Sequence, residues 1–254
     1  MTDSNRSKIE KLCLFDDCFM AVCFDGANEE TQLIVREFTG KKDAIVESVK
    51  THYNISSITK RSVIFDILAR DENGTRFNVE IQRADDGASP KRARYYSSML
   101  DSTLLEKGED YEKLPQTYVI FLTENDVFKK GRAITRIERI VIDDNESFCD
   151  GEHIIYVNGD YTDESTEIGR LIADFKQKDY TKMNNKLLSE RVKHFKVGEG
   201  SEKMCSVLDE VRQEGRQEGI IESAKRLLKS GLSLDSIIDL LRLNKEQTLL
   251  IKMQ

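Results

Sequence analysis

The sequence predicts an α/β protein with a mixed β-sheet core flanked by helices and a helical C-terminal extension. Three observations carry this. Two extended runs, 62–70 and 75–83, are separated by DENG, a hairpin signal with Asn-Gly at its tip. A strong amphipathic helix follows over 91–107. Then comes QTYVIFLT, 116–123, a continuous apolar run suited to a strand buried on both faces. Strand, helix and buried strand imply a crossover, so parallel pairing stands next to an antiparallel hairpin.

The remaining elements follow in order. Residues 8–24 (KIEKLCLFDDCFMAVCF) read as one helix, with Leu12, Phe15, Phe19 and Val22 or Cys23 on one face. A polar stretch, DGANEET, precedes a second amphipathic helix over 29–38, and from there to about 58 no period is clear. The 91–107 helix aligns Arg92, Tyr95, Tyr96, Met99, Leu100, Thr103 and Leu104, and Gly108 is its stop. Extended segments are expected near 134–142 and 153–158, and helices dominate from about 163.

The glycine-rich VGEGSE near 197 marks a boundary between a domain of residues 1–197 and a helical extension, 198–254. In the extension, EGRQEG is a short local repeat in a charged helix, not a repeat architecture. GLSLDSIIDLLRLNKEQTLLI reads as two short helices capped by Ser233 and Asn244. With few cations on it, this piece suits packing or self-association rather than DNA reading.

Composition limits the function classes. The chain has 254 residues, 39% hydrophobic and 33% charged, enough for one sizeable core plus an appendage. No apolar run reaches the ~18 residues of a membrane span, and the N-terminus has no signal-peptide core, so the expectation is a cytoplasmic protein. Five cysteines (Cys13, Cys18, Cys23, Cys149, Cys205) include no C-x-x-C pair and read as reduced, small hydrophobes. The three histidines lie far apart and form no triad motif. A net charge of −7 argues against a uniformly cationic nucleic-acid coat, not against a local basic cleft.

The opening hairpin holds the chemistry. Asp66 interrupts an apolar strand, and Glu80 and Gln82 interrupt the next, in the pattern D-x13-E-x-Q. Burying an ionised carboxylate costs several kcal/mol unless a cation or donors compensate it. Residues 80 and 82 leave the same face of a strand. A carboxylate from each of two adjacent strands can hold a hard cation such as Mg²⁺ and leave positions for water and phosphate, as phosphodiester hydrolysis requires. A half-solvated hairpin with one polar face would produce the same spacing.

The surrounding segments resemble the PD-(D/E)xK nuclease-like transposases, specifically the recombination-promoting nuclease (Rpn) group, over roughly residues 14–230. The resemblance rests on D-D-x-F at Asp16–Phe19, FDILARDENGTRFNVEIQ, KRARYYSSMLD followed by GEDYEKLPQTYVIFLTENDVFKKG, DGEHIIYVNG, and the EGRQEG tail. It implies a restriction-endonuclease-like fold with a four-stranded mixed sheet. It also implies Mg²⁺- or Mn²⁺-dependent DNA endonuclease activity linked to recombination or mobile elements. The alternative is a catalytically weak relative acting as a DNA-binding or protein-interaction module.

Carried over by residue, Asp66 and Glu80 match the motif's acids and would hold the metal with the backbone carbonyl of Ile81. Gln82 stands where the wider superfamily has lysine. Glutamine carries no charge, so its role would be to position water or phosphate. Asp17 is a candidate additional acid. DNA would be the partner, with Lys91, Arg92, Arg94 and Tyr95 as candidate contacts, and Arg92 placed to reach a phosphate.

The mechanism also dictates a turn. A two-residue Asn73-Gly74 loop would pair Ile67 with Glu80 and turn Asp66 away, because a one-residue shift flips faces. A three-residue loop, Glu72-Asn73-Gly74, sets Asp66 opposite Glu80 and needs Gly74 at positive φ.

Overall fold

The computed structural model describes residues 3–55, 62–83 and 85–252. They form two compact units, Met1–Met204 and Cys205–Gln254.

The first unit is built on a six-stranded sheet in the order β1-β2-β3-β4-β8-β5. Its strands are β1 (Val46–Ile55), β2 (Val63–Asp71), β3 (Arg76–Gln82), β4 (Thr117–Thr123), β5 (Ile134–Ile137) and β8 (Glu152–Asn158). β1–β2–β3 is an antiparallel meander, β3–β4 and β4–β8 are parallel, and β5 closes the far edge antiparallel to β8. The sheet is therefore mixed, with two strands more than the four the resemblance implies. β1 is one of them, in the segment where no period was legible. Its alternation is irregular because the register shifts between Val46 and Ser48 and His52 takes a positive φ within the strand. β4 is buried along its whole length, as its apolar run requires.

Helices cover both faces. α4 (Pro90–Asp101) is the crossover between β3 and β4. It packs Ala93, Tyr96, Met99 and Leu100 against Val63, Phe65, Val119, Phe121 and Tyr156. On the other side lie α2 (Asp17–Phe24), α3 (Asn28–Thr39), α5 (Glu167–Lys176) and α6 (Lys186–Lys196). There Phe175 gathers Phe15, Phe24 and Phe38, with ring centroids 6.0–6.4 Å away.

Several elements differ from expectation for identifiable reasons. The 8–24 segment is two helices, α1 (Asp3–Lys11) and α2. The Asp16 carboxylate accepts the N–H of Cys13 at 2.8 Å and folds the chain into a turn instead of a helix. α4 stops at Asp101, six residues early, because the Ser102 and Thr103 hydroxyls donate to the Met99 and Leu100 carbonyls. The 134–142 segment splits, and β6 (Ile140–Val141) leaves the main sheet to pair with β7 (Glu146–Ser147).

α6 tethers the N-terminal helices. The buried Lys196 ammonium donates to the carbonyls of Glu10, Leu12 and Lys178, which satisfies groups left open where α1 ends. Arg191 donates to the carbonyls of Cys23 and Asp25 at the end of α2. Cys13 and Cys23 are buried and Cys18 is half-buried, and burial pushes all three thiols up.

In the second unit, Ala224 of α7 (Ser201–Lys229), Ile237 of α8 (Leu234–Leu241), Leu243 and Ile251 of α9 (Lys245–Lys252) form a small apolar cluster. Ser233 caps α8 by accepting from Ser236 N–H. Asn244 and Gln247 exchange side chain-to-backbone bonds at 2.8 and 2.9 Å, a capping box for α9.

Candidate active site

The turn between β2 and β3 sets the register. Asp71 N–H donates to the Thr75 carbonyl, and the Asp71 carboxylate accepts from Asn73 and Thr75 N–H. Three residues close the loop, with Gly74 at φ 84. The pairs Ile67↔Val79, Leu68↔Asn78 and Ala69↔Phe77 follow. Continued by one step, this register sets Asp66 across from Glu80. It is the pairing a shared cation needs.

At that step the regular ladder gives way to side-chain bonds. Glu80 Oε1 accepts from Asp66 N–H at 3.2 Å, and Asp66 Oδ2 accepts from Ile81 N–H at 2.8 Å. β2 also loses strict alternation here, since Phe65 and Leu68 both pack into the α4 cluster. β1 breaks at the same level. His52 has φ 48, a strained value for a residue with a Cβ, between the regular pairs Thr51↔Ile67 and Tyr53↔Phe65. His52, Asp66 and Glu80 thus lie in a row across three neighbouring strands.

The acids are strongly perturbed. Burial pushes Asp66 up to about 6, with Asp17 adding to the rise and Ile81 N–H, His52 and Arg92 opposing it. Glu80 is fully buried and is pushed well above the usual carboxylate range, first by burial and then by Asp66 beside it. Opposed acids destabilise a hairpin unless something sits between them. The donor set is two carboxylates. Among the described residues no cluster of three or more His, Cys, Asp and Glu side chains forms a metal cage. Two hard oxygen donors are the kind of ligand a divalent cation takes.

α4 lays a cation over this pair. Ser89 caps the helix by accepting Arg92 N–H, with Pro90 at the first turn. The Arg92 guanidinium reaches Glu80 Oε2 at 3.4 Å, Gln82 Oε1 at 3.3 Å and the Tyr96 hydroxyl at 2.7 Å. Gly87 makes room, since a Cβ there would fall 2.1 Å from Gln82 Oε1. A cleft of about 1030 Å³ opens over the site, lined by Asp17, His52, Asp66, Lys91, Arg92 and Tyr95 among others.

The sequence-derived residues are thus largely brought together. Asp17 lines the cleft with Asp66 and pairs with His52 Nε2 at 3.1 Å. Arg94 faces a separate depression with Ser97, Asp101 and Arg139, because it lies on another side of α4. Two residues were missed. His52 had no legible signal, as it sits in an irregular edge strand. Asn78 did have one: Asn78, Glu80 and Gln82 alternate on one face, and Asn78 is fully buried beside Glu80.

A mixed sheet with two acids facing each other across a hairpin, under a crossover helix, is the layout of a restriction-endonuclease-like nuclease domain. A model of the PD-(D/E)XK nuclease family transposases matches residues 32–221, three quarters of the chain, and the chain belongs to that family. No curated protein and no solved structure gives a match.

Proposed function

We propose that this protein is a divalent-metal-dependent DNA endonuclease acting in recombination or on mobile elements. The opposed, interlocked Asp66–Glu80 pair carries this reading. A half-buried and a fully buried acid, both with raised proton affinity, make sense if a cation occupies the space they share. Family membership and the cleft with Lys91 and Arg92 support DNA as the substrate. Among the described residues no helix is long and apolar enough to cross a membrane.

Asp66, Glu80 and the Ile81 carbonyl would hold Mg²⁺ or Mn²⁺. Once bound, the ion lowers the pKa of water and offsets charge on the phosphate. The protein's own groups do the rest. Ile81 N–H fixes the Asp66 carboxylate, and Asp66 N–H fixes Glu80. Gln82 would present an amide to water or phosphate, and Lys91 and Tyr95, which line the cleft, would meet the DNA backbone.

Plasmid nicking tests this. Cleavage should require Mg²⁺ or Mn²⁺ and collapse in Asp66→Ala and Glu80→Ala while both variants stay folded. Wild-type cleavage by either variant would remove the proposed site. DNA binding without cleavage by the wild type would identify a binding module instead.

A further inference from the structure

In this site the strand position two residues past the second acid is a neutral glutamine. A divalent ion roughly cancels the charge of two carboxylates. A phosphodiester under attack gains negative charge beyond that, which calls for another donor fixed in place. Among the described residues, Arg92 is the cation with hydrogen bonds to the acid pair's Glu80 and to Gln82.

The distances show how it is held. Charge-assisted bonds usually measure about 2.7–2.9 Å. Arg92 meets that length only at the Tyr96 hydroxyl, 2.7 Å, while Glu80 and Gln82 lie at 3.4 and 3.3 Å. Its guanidinium carbon stands 4.8 Å from the Tyr96 ring centre. The side chain is 32% exposed and lines the cleft. Tyr96 and the capped helix end therefore fix the guanidinium, and its charge is not consumed by a tight ion pair.

We propose that Arg92 contacts the scissile phosphate, donating to a non-bridging oxygen while it steadies Glu80 and Gln82. This rests on the nuclease reading. In the step, a water oxygen forms the new P–O bond and one ester P–O bond breaks. The water gives up a proton to solvent and the leaving oxygen gains one. Arg92 keeps its own protons and acts by charge and hydrogen bonding.

The test compares Arg92→Met, Arg92→Lys and Arg92→Ala in the full chain. Three quantities are read: the single-turnover cleavage rate with Mg²⁺ at saturating DNA, DNA affinity with Ca²⁺ as a non-cleaving ion, and Tm. Arg92→Met should lose on the order of 10²–10³-fold in rate, with DNA affinity changed less than about threefold. Arg92→Lys should recover part of the rate, and millimolar guanidinium should accelerate Arg92→Ala. If Arg92→Met fails to melt cooperatively, Arg92→Lys and the rescue decide alone. Cleavage by Arg92→Met within threefold of wild type, a rate loss fully matched by lost DNA affinity, or absence of both recoveries overturns the inference. A wild type that cleaves no DNA overturns the nuclease reading itself, and this inference with it.

Discussion

Replacing Asp66 by asparagine should stabilise the metal-free protein at neutral pH. Asparagine keeps an oxygen to accept Ile81 N–H and removes a charge that burial opposes. The Asp66 carboxyl rises from 3.8 to about 6 in the fold. A change of that size disfavours the ionised form by about 3 kcal/mol. Relaxation and coupling to Glu80 leave roughly 1–3 kcal/mol in the unfolding free energy. The sign follows from proton linkage. A carboxyl whose folded value is raised contributes stability that is complete below its unfolded value and lost as pH rises through about 6. The advantage of Asp66→Asn should therefore be near zero at pH 4 and reach its plateau above pH 7. Urea unfolding in EDTA from pH 4 to 8 measures it. A variant less stable than wild type at pH 7.5, or a difference independent of pH, would refute the reasoning. Mg²⁺ should then raise the Tm of the wild type and leave that of Asp66→Asn almost unchanged.

Three further outcomes are expected. Gln82→Leu should lose most cleavage, and Gln82→Lys should retain some despite setting a second cation beside Arg92; equal rates for leucine and wild type would exclude Gln82 from the mechanism. Gly87→Ala should melt within a few degrees of wild type, since the flexible Gln82 end can swing aside, yet cleave more slowly because the Gln82–Arg92 contact is displaced. Unchanged kinetics would show that contact to be incidental. A chain ending at the buried Met204 should keep a cooperative thermal transition if residues 1–204 fold alone, and circular dichroism would reveal its loss.

The legible parts of this molecule were those with strong local chemistry. The hairpin, the buried strand β4 and the caps Ser233 and Asn244 each follow from a few adjacent residues. So does the Asp66–Glu80 pairing, once Gly74 is assigned the left-handed turn position. What was hidden depends on distant partners. β1 has no clean period because its inner face changes at His52, and only the fold shows that Asp17 lies within reach of that ring. The break between α1 and α2 is set by a single carboxylate bonding backwards. Apolar periodicity on both sides concealed it. Arg92 was visible as a cation on a stripe, but not as a group resting on Glu80.

The contacts made by α6 bear on how the chain is synthesised. Lys196 reaches Glu10 and Leu12 across 186 and 184 residues, and Arg191 reaches Cys23 and Asp25 across 168 and 166. Their acceptors leave the ribosome first, and their donors emerge after the whole sheet has been made. The carbonyls of Glu10, Leu12, Cys23 and Asp25 therefore wait for their donors until α6 has been made. Ribosomes add roughly 5–20 residues per second, so that interval lasts on the order of ten seconds or more. A ribosome stalled before codon 191 should display a protease-sensitive N-terminal segment that becomes resistant once α6 is released.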